Sequence, residues 1–231
     1  MSTVAVITAR GGSRRIPRKN VKPFMGKPMV RYAIESALGS RLFDEVMVST
    51  DDEEIAQISR DAGADVPFLR SAATANDFAT TRDVLVEVID EFRKRGREFD
   101  ELACIYPCVP FLTSEILVAA HGRFASSGAD ALMPVVRFSF PIQRAQRIGA
   151  SGFLEYREPE CAPMRSQDLE PMYHDAGMFY FYRTAAFLSG SAMKVAPFEM
   201  PEESVQDIDN PEDWVLAEMK WRLLEMKGGN A

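Results

Sequence analysis

Two short stretches, one near each end of the chain, hold residue types suited to phosphate and metal. The first is Arg10-Gly11-Gly12-Ser13-Arg14-Arg15-Ile16-Pro17-Arg18-Lys19-Asn20, which follows the apolar run Val4-Ala5-Val6-Ile7. Its glycines let backbone N–H groups approach an anion while Arg and Lys side chains surround it, so a triphosphate fits this chemistry. The spacing is neither GxxxxGK(S/T) nor GxGxxG, which argues against an ATPase or a dehydrogenase. A solvated basic loop is the plainer alternative. The second stretch is Gln206-Asp207-Ile208-Asp209. If extended, it puts both carboxylates on one face and turns Ile208 toward the core. Paired carboxylates suit Mg2+, a hard cation that keeps several waters and bridges to substrate phosphates. The alternative here is an acidic turn before a Pro-started helix, with Asp209 or Asn210 as its cap.

The elements that must position these residues can be read from hydrophobic period. Thr3–Ala9, Glu45–Ser49, Leu102–Tyr106, Ala131–Val136 and Phe179–Tyr182 read as strands, and 28–38, 52–62, 81–95, 113–125 and 211–226 as helices. Their alternation predicts an α/β fold: a three-layer, Rossmann-like, mostly parallel sheet with helices on both faces. In such sheets ligands bind beyond the carboxyl ends of the strands. Pro141–Glu160 breaks the pattern, mixing basic, Gly and aromatic residues around an Ala-Ser-Gly turn at 150–152, and predicts a protruding β-hairpin. Gly228-Gly229-Asn230 reads as a loose tail.

With 231 residues the chain reads as a single domain spanning 1–231. The net charge of -7 argues against a general nucleic-acid binder. Its distribution is uneven: residues 1–34 hold eight Lys or Arg and no acid, which points to a local anion site inside the fold. A transit peptide is the competing reading, but Gly11-Gly12 and Pro17 would break its helix. No apolar run approaches a membrane span and no signal peptide is evident, so the expected location is the cytoplasm. Cys104, Cys108 and Cys161 are an odd set with no CxxC pair, and are expected as reduced thiols. The Met residues, 12 in all, are scattered as packing residues rather than gathered in a cofactor box.

The run A-R-G-G-S-R-R-I-P-R-K-N resembles the opening signature of the CMP-acylneuraminate synthetase family, and Val48-Ser49-Thr50-Asp51-Asp52 resembles its second strand and turn. Phe68-Leu69-Arg70, Asp77 with Thr80 and Thr81, and Asp207-Ile208-Asp209 continue the match in order. The resemblance implies a nucleotide-diphospho-sugar transferase type of fold and an Mg2+-dependent cytidylyltransferase that joins CTP to a nine-carbon acidic sugar. It places Arg10 and Asn20 near the cytosine and Thr80 or Thr81 near the ribose. Gly12, Ser13, Arg14, Lys19 and Arg70 fall to the phosphates, with Asp207 and Asp209 holding the metal. Lys19, Asp207 and Asp209 form the catalytic set.

Departures from the sialic acid enzymes are informative. They carry Q-P-T-S-P where this chain has Tyr106-Pro107-Cys108-Val109-Pro110, and R-P-N-G where it has Tyr173-His174-Asp175-Ala176-Gly177. Gln167-Asp168-Leu169 through Gly177 looks like the pseudaminic acid branch, which has Gln in place of Met178. Pseudaminic acid presents a methyl where sialic acid presents a hydroxyl, so losing polar pocket residues suits it. Tyr106, Pro107, His174, Asp175 and Met178 are the implied sugar contacts. His121 reads as a surface or capping residue. The resemblance further implies a homodimer through a 139–160 arm. Sialic, legionaminic or 3-deoxy-octulosonic acid are alternative acceptors, and a silent nucleotide-binding regulator is the non-enzymatic alternative. Such a regulator has no use for both Asp207 and Asp209 beside an intact phosphate loop.

Overall fold

The structure, a computed structural model, describes residues 1–228. In chain order its elements are β1 (Thr3–Thr8), β2 (Pro23–Phe24), β3 (Lys27–Pro28), α1 (Val30–Ser40), β4 (Glu45–Ser49), α2 (Glu53–Asp61), α3 (Thr81–Lys94) and β5 (Glu101–Ile105). There follow α4 (Ser114–Ser127), β6 (Ala131–Arg137), β7 (Gln146–Ile148), β8 (Leu154–Tyr156), β9 (Tyr173–Asp175), β10 (Phe179–Arg183), α5 (Thr184–Ser189), β11 (Val195–Glu199) and α6 (Pro211–Gly228). The expected loose tail therefore begins inside α6, and its Gly229 and Asn230 lie outside the described residues.

The main sheet runs β11-β6-β10-β5-β1-β4, with β9 beside β6. β4, β1, β5, β6 and β11 share one direction, and β10 and β9 run against them. Residues of β1 alternate between the two faces. Ala5 and Ile7 pack with Ala33 and Ile34 of α1 and Leu117 and Phe124 of α4, while Val4 and Val6 pack with Leu85, Val88 and Phe92 of α3. This is the expected three-layer arrangement. α2 and α3 begin on side-chain caps, from Asp52 and Thr80, and the Thr80–Asp83 pair closes a capping box.

Five short elements, β2, β3, β9, β11 and α5, escape the hydrophobic period. β11 carries Pro197, which an edge strand tolerates because one side of its backbone needs no partner. β2 and β3 hold two residues each, and their pairing delays the first helix from the expected 28 to Val30. The six residues of α5 are too few to show a period.

β6 and β9 pair antiparallel, and Phe138 N donates to Met172 O at 2.9 Å. The chain between them thus leaves the sheet and returns at neighbouring points. The excursion is longer than the expected 139–160, and includes single turns at Pro159–Cys161 and Ser166–Asp168. Its hairpin pairs Gln146 with Tyr156 and Ile148 with Leu154 around the 149–153 turn, where Gly152 has φ +82°.

His121 is not a surface or capping residue. Its Nε2 lies 2.7 Å from Glu101 Oε2, and Arg183 shares that carboxylate at the amino end of β5, away from the 10–20 loop. All three cysteines are free thiols, and burial pushes Cys104 up to about 12. Among the described residues no helix is long and apolar enough to cross a membrane.

Candidate active site

The basic loop 10–20 leaves the carboxyl end of β1 and is shaped by its own contacts. Arg18 adopts φ +57°, a left-handed conformation uncommon outside glycine, and its guanidinium is held by Asp52 and Glu54. The next side chain, Lys19, then points inward: its Nζ donates to Ile208 O at 2.6 Å and lies 3.6 Å from Asp209 Oδ1. Arg15 Nη2 reaches Asp209 Oδ2 at 3.0 Å. The two ends of the chain meet because a small apolar cluster joins them. Ile16, Phe24, Met29, Tyr32 and Phe111 pack against Ile208 and Trp214, with Ile208 only 1% exposed.

Asp209 is free for this meeting because Asn210 does the capping, its Oδ1 accepting from Asp213 N at 2.9 Å. Asp207 lies exposed beside it, and among the described residues its carboxylate accepts no hydrogen bond and forms no ion pair. Lost hydration, and then the charge of Asp209, raise its pKa above the usual carboxylate range. Two adjacent carboxylates, one of them unpartnered among the described residues, form a donor set that a hard divalent cation fits.

Thr8, Arg10, Ser13, Arg14, Arg15, Lys19, Asn20, Asp77, Pro107 and Asp209 line one cleft of about 510 Å3. A Cβ built on Gly12 meets no atom within 4 Å, leaving room for close approach to its backbone. A smaller hollow of about 240 Å3 shares Thr8, Arg10 and Asp77, and adds Arg70, Thr74 and Thr81. Arg70 is buried there, donating to Ser49 O at 2.6 Å and Ser49 Oγ at 3.1 Å, and burial lowers its pKa. Arg70 lines this hollow and Lys19 the larger cleft, with Arg10 and Asp77 common to both. Thr80 spends its hydroxyl on the α3 cap, so Thr81 is the hydroxyl that faces this hollow.

Asn20, 6% exposed, turns its amide inward: Nδ2 donates to Arg10 O at 2.8 Å, and Oδ1 accepts from Cys108 Sγ at 3.3 Å. It ties the 10–20 loop to the loop after β5. Burial pushes the Cys108 thiol up to about 12, so it stays protonated as that donor.

The residues marked for a sugar are spread more widely. Pro107 lines the main cleft, and Tyr106 packs edge-on against Tyr180 with centroids 5.5 Å apart. Asp175 accepts from Gly177 N at 2.8 Å and from Tyr180 OH at 2.7 Å, so its carboxylate braces the turn into β10. His174 is exposed, with Nδ1 2.9 Å from Asp175 O and its ring 4.9 Å from Phe138. Met178 is 3% exposed and packs in the core, so its side chain offers a ligand no surface here. Gln167 lines a separate cleft of about 490 Å3 with Arg137 and Glu199. A hollow of about 530 Å3 between α1 and α6, lined by Tyr32, Phe111, Trp221 and Leu224, holds none of the sequence-marked residues.

A basic glycine loop at the carboxyl end of β1 that meets paired aspartates, on a three-layer sheet, is the arrangement of an α/β nucleotidyltransferase. The architecture is similar to that of CMP:2-keto-3-deoxy-manno-octonic acid synthetase complexed with CTP, with TM-score 0.70 at 20% identity over 98% of this chain and 100% of that one. It is also similar to 4-diphosphocytidyl-2C-methyl-D-erythritol synthase from Anaerococcus prevotii, with TM-score 0.66 at 13% identity over 96% of each chain. The family model described as Cytidylyltransferase matches residues 4–206, and the chain belongs to that family. It is 36% identical to the pseudaminic acid cytidylyltransferase of Campylobacter jejuni over 96% of this chain and 97% of the relative. It is 30% identical to the CMP-N,N'-diacetyllegionaminic acid synthase of Legionella pneumophila over 98% and 97% respectively. N-acylneuraminate cytidylyltransferase A of Danio rerio is 34% identical over 94% of this chain and 50% of that protein. The chain is a nucleotidyltransferase that uses CTP.

Proposed function

We propose that the acid activated is pseudaminic acid, in the reaction CTP + pseudaminate → CMP-pseudaminate + diphosphate. The product would serve surface glycan or flagellin glycosylation. The observation that carries the catalytic part is the approach of Lys19 Nζ to Asp209 Oδ1, 3.6 Å apart from opposite ends of the chain. What supports pseudaminic over sialic acid is the 36% identity with the Campylobacter enzyme, together with Tyr106 and Cys108 in place of polar residues.

In this reading CTP lies over the carboxyl ends of β1, β4 and β5. Two roles differ from those the resemblance implies: Arg10, bridged to Arg14 by Asp77, joins Arg14, Ser13, Lys19 and the amides around Gly12 on the phosphates, and Arg70, in the smaller hollow with Thr81, takes the nucleoside side. Asp207 and Asp209 would hold Mg2+, which when bound polarises the α-phosphorus and favours a deprotonated nucleophile. The sugar's anomeric oxygen forms the new bond to the α-phosphorus. Its proton passes to solvent, and the bond to the β-phosphate oxygen breaks in line, releasing diphosphate. Lys19 and the loop amides meet the charge that develops on the leaving group, so catalysis is positioning and electrostatics with no protein nucleophile. His174, Asp175 and the Tyr106-Pro107 corner border the sugar. The enzyme works in the cytoplasm as a homodimer joined through its arm.

The test incubates the purified protein with CTP, Mg2+ and a panel of pseudaminic, sialic, legionaminic and 3-deoxy-octulosonic acids, reading diphosphate release and product mass. Pseudaminate should give the highest kcat/KM. Preference for another acid overturns the substrate, and loss of activity on removing Mg2+ with a chelator, restored by re-addition, is the expected metal dependence.

A further inference from the structure

Every Arg and Lys of the phosphate loop is paired with a protein carboxylate among the described residues, but the partners differ in what else they do. Asp52 holds Arg18 while capping α2. Asp209 meets Arg15 and Lys19 at the candidate metal position. Asp77 has no such second duty. Its Oδ1 lies 2.6 Å from Arg10 Nη1 and its Oδ2 2.7 Å from Arg14 Nη2, and Arg10 first, then Arg14, hold its carboxyl below the usual range. One anionic group bridging two guanidiniums is how a phosphate would sit between them. The pair stands where the two hollows adjoin, since Arg10 and Asp77 line both. The segment carrying Asp77 is irregular, turned by Asn76, whose Oδ1 accepts from Phe78 N at 2.8 Å and Ala79 N at 3.0 Å.

We propose that Asp77 is an internal competitor for Arg10 and Arg14, displaced when CTP binds and returning to help expel pyrophosphate. The inference rests on the loop being the triphosphate site. All three side chains are more than a third exposed, and ion pairs of that kind are weak. A polyanion that also engages Lys19 and the loop amides outcompetes the carboxylate. A lone phosphate gains little over what it displaces. Asp77 therefore grades anions by how many contacts they make, an unfavourable element that sharpens selection. It also shortens product residence, because the arginines regain a partner as pyrophosphate departs.

Calorimetric titration of the full chain with pyrophosphate, and separately with CTP, tests this in wild type, Asp77→Asn, Asp77→Ala and Lys19→Ala. Removing the competing charge should lower the Kd for pyrophosphate by about threefold or more in both Asp77 variants. It should also deepen product inhibition by pyrophosphate, a change that simple loss of structure would not produce. Pyrophosphate binding that is unchanged or weaker in both Asp77 variants overturns the proposal. The two readings fail differently. If wild type binds neither anion, or Lys19→Ala binds both as well as wild type, the triphosphate site itself is wrong and the proposal falls with it. Binding that depends on Lys19 yet does not tighten on losing Asp77 defeats the proposal alone.

Discussion

Asp207 and Asp209 sit two residues apart but have different surroundings, and substitution should separate them. Asp209 faces Lys19 and Arg15, so its charge is already balanced. Asp209→Ala should cut turnover by about a hundredfold or more while CTP binding persists, read by diphosphate release beside calorimetry. Among the described residues Asp207 is unpartnered, and lost hydration and then Asp209 raise its pKa, so its charge opposes folding when no cation is present. Asp207→Asn should therefore raise the Tm of the metal-free protein by about 1–3 °C while abolishing turnover. A lower Tm in that variant would mean that the carboxylate is structural. Such opposition between stability and activity is expected where a site is built to await a ligand.

At the scale of elements, Asp52 joins two tasks, capping α2 through Ile55 N at 3.0 Å and gripping Arg18 at the turn that aims Lys19. Arg18 first, and then the Ile55 amide, hold the Asp52 carboxyl below its usual range. Its stabilising contribution is therefore present above the unfolded-state pKa of about 4 and fades as pH falls through the lower folded value. Asp52→Ala should cost about 1 kcal/mol at neutral pH, with the deficit narrowing in acid; a deficit constant with pH in denaturant titrations would refute the linkage. Ile208→Ala removes the apolar pin under the aspartates, and should cost about 2–4 kcal/mol in denaturant unfolding and lower kcat more than it raises the KM for CTP. This pin was only partly legible in the sequence. Period showed Ile208 turning inward and placed β1, β4, β5, β6 and β10 within a residue or two. Nothing local, however, could show that Ile16 and Ile208 share one cluster, because that contact is made by the tertiary fold. Asn20 and Thr80 show the same limit: the resemblance gives them to the nucleotide, whereas their hydrogen bonds here serve the loop and a helix cap. Asp77 was visible as part of a match, but its bridge to Arg10 and Arg14 needed coordinates.

For the whole molecule the arm is the part that the core does not explain. Every residue of β7 and β8 is exposed, and Ile148, Phe153 and Leu154 stand 76%, 75% and 68% open. A two-stranded hairpin alone in water is marginal, and uncovered apolar side chains of this size mark an association surface. A second copy of the arm offers the same apolar side chains in two-fold relation, the commonest solution for a homo-oligomer. If two arms cover one another, wild type should sediment as a dimer at micromolar concentration. Its Tm should also rise with protein concentration, because mass action ties folding to assembly. Replacing Ile148 and Leu154 together by Asp should give a monomer whose Tm no longer depends on concentration. The core is remote from both substitutions, so near-ultraviolet circular dichroism of the variant should remain that of a packed protein. A wild-type chain that sediments as a monomer, with a Tm indifferent to concentration, would refute a dimer through the arm.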